Sequence, residues 1–218
     1  MSASLHPVAT QEDVERLVEP ILDRHKDLTL IGRHLVIKPV RHVLRFIRLG
    51  NTLFDDLFNV TSVIDLTFLR YCNWATNGGR SLYNNGWGPW NIFDPEEVER
   101  LRRTIEETLP ELRRVNTIDD FVAYRSNEPP PHNTFSFDFK LMAYIAIAKG
   151  DLDEAIGVVE AAIAKGWVEH LPKYYELLKK HDRTALVTFL RKQQAGSIET
   201  LGLTDYWQQE PFPLELRE

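Results

Sequence analysis

The stretch LTLIGRHLVIKPVRHVLRFIRL, residues 28–49, decides the fold of the N-terminal half. Its β-branched and aliphatic residues are interleaved with cations and are broken at Lys38-Pro39, where proline removes a donor from the ladder. This pattern predicts two strands that form a hairpin or an edge pair. A third β segment is predicted at 60–71, which is rich in Val, Ile, Leu and Phe.

Helix-start signals flank this β region on both sides. Thr10 followed by Asp13 forms a capping box ahead of an apolar helical pattern, in which Pro20 is expected to kink or shorten the helix. Asp94-Pro95 predicts a second helix that runs to about Leu109, because aspartate caps free amides and proline fits the first turn.

The proline run at 128–131 is interpreted as the boundary between two halves, residues 1–128 and 129–218. After the run, apolar residues at helical spacing predict helices over 139–149, 151–165, 172–180 and 182–194. Asp151 is expected to cap the second of these, and Gly196 to end the last. The predicted fold class is therefore α+β: a small antiparallel sheet with flanking helices in the N-terminal half, followed by a helical C-terminal half with an αα-hairpin.

Composition limits the cellular setting. The chain has 218 residues, 43% of them hydrophobic and 27% charged, so it is expected to fold without disulfides or metals. Its single cysteine, Cys72, has no partner for an intramolecular disulfide, and the N-terminus lacks the pattern of a signal peptide. These features predict a cytoplasmic protein with no membrane role.

Charge is unevenly distributed along the chain. The net charge of −6 argues against general affinity for nucleic acid. Residues 29–53 nevertheless contain no acid and five cations. Cations that project from a strand pair would form a face able to meet an acidic partner, and Arg41 and Arg45 are the predicted contact residues. The alternative is an ordinary solvated strand face.

Residues 73–91 are rich in Gly, Asn and Trp and predict a long aromatic loop. Long loops in compact domains are usually functional, and Trp, Tyr and Arg concentrate at interface hot spots. The predicted contact residues here are Trp74, Arg80, Tyr83, Trp87 and Trp90. Trp87 lies between two glycines and is expected to project. The alternative is a loop that packs back onto its own domain.

Two segments resemble known families. The basic stretch from Arg33 to Arg45 resembles the opening strands of small bacterial proteins, some of which accompany secreted toxins as immunity factors. The resemblance implies a protein partner and carries over no catalytic residue. The apolar and small residues of 139–162 resemble one tetratricopeptide repeat, although the closing proline of that repeat is absent. An ordinary αα-hairpin explains the same spacing.

Catalytic motifs are lacking in the sequence. No His pair has metal-ligand spacing, no G-x-S-x-G elbow is present, and the glycines at 78–79 lack the spacing of a phosphate loop. No cofactor or metal is expected. The first hypothesis is a protein-binding module of immunity or adaptor type that binds and blocks a partner such as a toxin or effector. The alternatives are an enzyme for a small anionic substrate, and nucleic-acid binding as the third choice. In the enzyme hypothesis Arg41, Arg45 or Arg80 would bind the negative charge of the substrate. Asp55, Asp56 or His42 would act as the general acid or base.

Overall fold

A computed structural model of the chain describes residues 9–51, 57–69, 74, 79–86, 88–127, 138–166 and 172–217. The chain divides into two compact units. The first comprises Met1–Val40, Leu44–Asp65 and Thr76–Val115, and the second comprises Arg41–Val43, Leu66–Ala75 and Asn116–Glu218. The second unit thus begins before the proline run and also takes in two short pieces of the N-terminal half.

The first unit contains two long helices and most of a six-stranded antiparallel sheet. In chain order its elements are α1 (Gln11–Arg24), β1 (Leu28–Ile31), β2 (His34–Ile37), β3 (Val43–Asn51), β4 (Leu57–Leu66), β5 (Arg80–Ser81), β6 (Trp90–Asn91) and α2 (Pro95–Arg114). The second unit is built mainly from α3 (Ile118–Ser126), α4 (Phe139–Lys149), α5 (Leu152–Ala164), α6 (Tyr175–Lys179), α7 (Arg183–Thr200) and α8 (Pro213–Leu216). The predicted α+β fold class is confirmed.

The sheet has the order β1-β2-β3-β4, and both β5 and β6 pair with the far side of β4. The stretch that decides the fold therefore forms three strands where two were predicted. A two-residue turn joins β1 to β2, and Gly32 supplies its positive φ of 55°. The Lys38-Pro39 peptide is cis and lies between β2 and β3.

Helices α1 and α2 each contribute one apolar face to the core of the first unit. Val14, Leu17 and Ile21 of α1 and Leu101 and Ile105 of α2 are each no more than 3% exposed. Thr10 and Asp13 form the predicted capping box, and α1 continues through Pro20 to Arg24. Hydrophobic burial of one stripe per helix explains why both helices are stable at their observed lengths.

In the second unit α4 and α5 form the predicted αα-hairpin. Gly150 ends α4 in the left-handed region with a φ of 84°, as a C-terminal glycine commonly does. Asp151 occupies the predicted N-cap position of α5, but its side chain makes no capping hydrogen bond there. Its carboxylate instead accepts a hydrogen bond from Arg217 Nη1 at 2.6 Å.

Two predicted boundaries also differ from the structure. Helix α2 continues past Leu109 to Arg114, and α7 continues past Gly196 to Thr200. Leu112 of α2 and Ile198 of α7 are almost fully buried. Burial of these two side chains outweighs the local cost of Pro110 inside α2 and of Gly196 inside α7. Helix propensity is a weak preference that tertiary packing often overrides.

Candidate functional site

The edge strand beside β4 is interrupted by a segment that leaves the sheet. Ser81 of β5 lies opposite Thr61, and Trp90 of β6 lies opposite Phe58. Eight residues separate Ser81 from Trp90 while two separate their partners on β4, so six residues have no place in the ladder. The extra chain lies within residues 83–88, which we call the edge loop.

The edge loop has regular hydrogen bonding of its own. Asn84 and Gly88 exchange both of their backbone hydrogen bonds, at 2.8 and 3.1 Å. The chain reverses between them through Asn85 and Gly86, whose φ angles are 50° and 88°. Asparagine and glycine are the residues that tolerate such angles best, so the local sequence suits this tight turn.

Trp90 holds the base of the edge loop. It is 3% exposed, and its indole Nε1 donates a hydrogen bond to Leu82 C=O at 2.6 Å. Leu82 N–H in turn donates to Val60 C=O at 2.8 Å, which keeps this residue in the ladder. The indole therefore bridges the two chain segments that enter and leave the loop. Trp90 was predicted to contact a partner, but its burial makes it a support for the loop.

The exposed side chains around the edge loop are aromatic and charged. Tyr83 is 52% exposed, and Phe93, just beyond β6, is 39% exposed. Arg80 Nη1 lies 3.1 Å from Glu111 Oε2 in an ion pair whose side chains are 65% and 43% exposed. Trp87 belongs to the loop by sequence and lies outside the described residues. Arg80 and Tyr83 are thus the predicted contact residues of this region whose side chains are exposed.

The remaining predicted contact residues lie elsewhere. Arg45 is 5% exposed, and its Nη2 donates to Pro39 C=O at 3.1 Å, so it is not accessible to a partner. Arg41 belongs to the second unit, where its Nη1 lies 2.7 Å from Glu210 Oε1. Trp74, also in the second unit, is half-buried. Burial therefore removes Arg45 from the predicted cationic face, and Arg41 is paired with an acid of its own unit.

His42, the candidate acid or base of the enzyme hypothesis, is buried within the second unit at 6% exposure. Its ring stacks on Phe212 with centroids 4.4 Å apart. Since a carbonyl can only accept, Nε2–H donates to Pro211 C=O at 3.1 Å, and Nδ1 accepts from Gln194 Nε2 at 3.3 Å. Burial lowers the pKa of His42, which favours this neutral form. Both ring nitrogens are occupied in a structural role.

Gln194 completes a buried polar network around that histidine. Its Nε2 also donates to Thr67 Oγ1 at 2.8 Å, and its Oε1 accepts from Arg191 Nη1 at 3.1 Å. Thr67 Oγ1 then donates to Arg41 C=O at 2.8 Å. Nothing in the sequence pattern singled out Gln194, because its partners His42 and Thr67 lie more than a hundred residues away along the chain. A buried network whose members are hydrogen-bonded in this way holds the core in one arrangement, so we assign it a structural and not a catalytic role.

Two cavities formed by described residues can be compared with the proposed enzyme residues. One open cavity of about 510 Å³ lies along α1 and another of about 470 Å³ lies beside Arg191 and Pro211. Neither is lined by Arg41, Arg45, Arg80 or His42. Asp55 and Asp56 lie outside the described residues, as does Cys72.

Comparison with known proteins gives no relative: no family model, no curated protein and no solved structure matches the chain. Within the described segments, no helix is both long and apolar enough to cross a membrane. The same segments contain no group of three His, Cys, Asp or Glu side chains with metal-binding geometry. The edge loop is therefore the candidate site with the best defined geometry.

Proposed function

We propose that this protein is a protein-binding module of immunity or adaptor type, which holds or blocks a partner protein through the edge loop. The observation that carries the proposal is the register of the sheet edge. The chain that has no place in the ladder is closed by the paired backbone hydrogen bonds of Asn84 and Gly88. The exposed Tyr83 directly precedes this pair and follows the strand that carries Arg80. Loops set on rigid scaffolds are where binding residues concentrate.

Pre-organisation strengthens the argument. The Asn84–Gly88 hydrogen bonds and the Trp90 indole fix the loop before any partner arrives. A loop that is already ordered loses less conformational entropy on binding, and this loss is a main cost of association. Tyrosine contributes large contact area with few rotatable bonds, and arginine is enriched at interface hot spots.

The charged pair beside the loop favours recognition of a polar protein surface. The Arg80–Glu111 pair is largely exposed, so it contributes little to folding stability. Either member can re-pair with an opposite charge on a partner at small cost to the fold. The resemblance of the basic stretch to immunity proteins supports a toxin or effector as that partner.

The test is affinity capture with the immobilised full-length chain, using a lysate of the source organism. A Tyr83→Ala, Arg80→Ala double variant is compared with the parent and with a matched control, Ile163→Ala, Arg103→Ala. The control truncates one exposed apolar side chain and one exposed arginine that both lie outside the edge loop. A specific partner should be retained by the parent and the control and lost by the loop variant.

The captured protein is then purified and titrated against all three forms. Hot-spot truncation costs about 2 kcal/mol or more, which is roughly a thirtyfold rise in Kd for the loop variant. A Kd within about twofold of the parent value would exclude the edge loop as the binding site. For an immunity protein, co-expression should also protect cells from the partner, and the loop variant should protect them less.

A further inference from the structure

The outer edge of β1 presents backbone groups that could pair with another strand. Lys38 N–H donates to Asp27 C=O at 2.7 Å, so these two residues are a hydrogen-bonded pair at the start of the β1–β2 ladder. Such pairs alternate along an antiparallel ladder. The backbone groups of Leu28 and Leu30 therefore point away from β2. The Leu28 amide is used by the preceding turn, where it donates to His25 C=O at 3.0 Å.

Leu30 is left as the central residue of this edge. β1 is the last strand of the sheet on its side, and no described residue bonds to the Leu30 N–H or C=O there. An edge with such groups is a template for a further strand. Many proteins bind extended peptides in this way, with backbone hydrogen bonds providing affinity and side chains providing specificity.

Helix α1 runs alongside this edge. At one end Gln11 Nε2 donates to Gly32 C=O at 2.9 Å, just past β1, and at the other end a three-residue turn joins Arg24 to Leu28. Between them lies the open cavity of about 510 Å³, which we call the acidic groove. Its wall includes Leu30 and four acids of α1, with Arg16 as its one cation: Glu12, Glu15, Glu19 and Asp23.

The spacing of the acids matches an extended chain. Glu15, Glu19 and Asp23 follow one another at intervals of four residues. Four residues of helix rise about 6 Å. Two residues of a strand rise about 6.6 Å. Lysine or arginine at alternate positions of an added strand would therefore meet successive carboxylates.

We propose that the β1 edge and the acidic groove bind a basic, extended segment of a partner protein, which adds to the sheet as a further strand. Charge complementarity selects this occupant, because a row of carboxylates attracts a cationic strand and disfavours an acidic one. A second copy of this chain would bring the same acidic row to the interface and would be repelled. The inference concerns a different surface from the edge loop, and neither depends on the other.

The test uses a fluorescent peptide of alternating Lys and Thr and the full-length protein at low salt. The variant Glu15→Gln, Glu19→Gln leaves the backbone unchanged and should raise the Kd about fivefold, since each exposed ion pair contributes modestly. A matched control, Glu107→Gln, Glu199→Gln, removes two exposed acids outside the groove and should bind like the parent. A groove variant that binds as tightly as the parent would overturn the proposal.

Strand addition is separated from simple charge attraction by two further measurements. Bound peptide should slow hydrogen exchange at the Leu30 amide of the parent. Leu30→Pro, which removes that outward N–H, should weaken peptide binding. A peptide with the same residues in two blocks, all Lys before all Thr, should bind less tightly. Equal binding of both peptides together with unchanged Leu30 exchange would refute strand addition, and it would do so even if Leu30→Pro failed to fold.

Discussion

Replacing Trp90 by phenylalanine tests whether the buried indole holds the edge loop. The substitution keeps an aromatic ring at a site that is 3% exposed but removes the Nε1 donor to Leu82 C=O. A buried carbonyl that loses its partner costs about 1–3 kcal/mol. The smaller ring also leaves a void, which adds roughly 1 kcal/mol. We expect the free energy of unfolding to fall by about 2–4 kcal/mol.

The assay is thermal unfolding beside the parent. For a chain of this length each kcal/mol lowers the Tm by about 2–4 °C, so Trp90→Phe should lower it by roughly 4–16 °C. Trp90→Ala should cost more, because it also removes the whole ring, and losses of about 3–5 kcal/mol are usual. Tyr83→Ala is the control, since a side chain that is 52% exposed should change the Tm little.

A second readout follows the loop itself. Amide exchange at Asn84 and Gly88 should become faster in Trp90→Phe than global destabilisation alone would cause, because the base of their hairpin has lost its bridge. A Tm within a degree or so of the parent, with unchanged exchange at both amides, would refute the assignment of Trp90 as the support of the loop.

Three further predictions concern the rest of the molecule. Burial lowers the pKa of His34 to about 4, so the unfolded chain binds an extra proton between that value and the ordinary 6.5. Stability should therefore fall as pH drops through this window, by about 1–2 kcal/mol once partial solvent screening is allowed for, as urea unfolding at several pH values would measure. Gln194→Leu leaves His42 Nδ1 without its donor and removes one hydrogen bond each from Thr67 and Arg191, so calorimetric melting should show a loss of about 2–4 kcal/mol. Arg41→Ala breaks a partly exposed pair with Glu210 and should cost no more than about 1 kcal/mol by chemical denaturation.

Local signals in the sequence specified the helix starts. Thr10 with Asp13 and Thr117 with Asp120 form capping boxes, and the side chain of Asp94 caps α2. Each of these signals acts over a few residues, so a reader of the sequence sees the whole interaction at once. The same holds for the β character of 28–49 and for the αα-hairpin closed at Gly150.

The candidate site was predictable only in part. Composition drew attention to 73–91 as an aromatic loop, and Arg80 and Tyr83 are indeed accessible there. Composition could not distinguish Tyr83, which faces solvent, from Trp90, which is buried. Both are large aromatic residues next to turn-forming neighbours, and their exposure depends on which residues of β4 lie opposite them.

The sequence by itself therefore determined the class of fold, the helix starts and the region of the candidate site. Tertiary structure alone decided that Arg45 is buried, that His42 is enclosed by Gln194 and Phe212, and that β1 forms the last strand of the sheet. The physical reason is distance along the chain. Capping and periodicity are set by neighbours, whereas strand order, register and burial are set by contacts between residues that no short window contains.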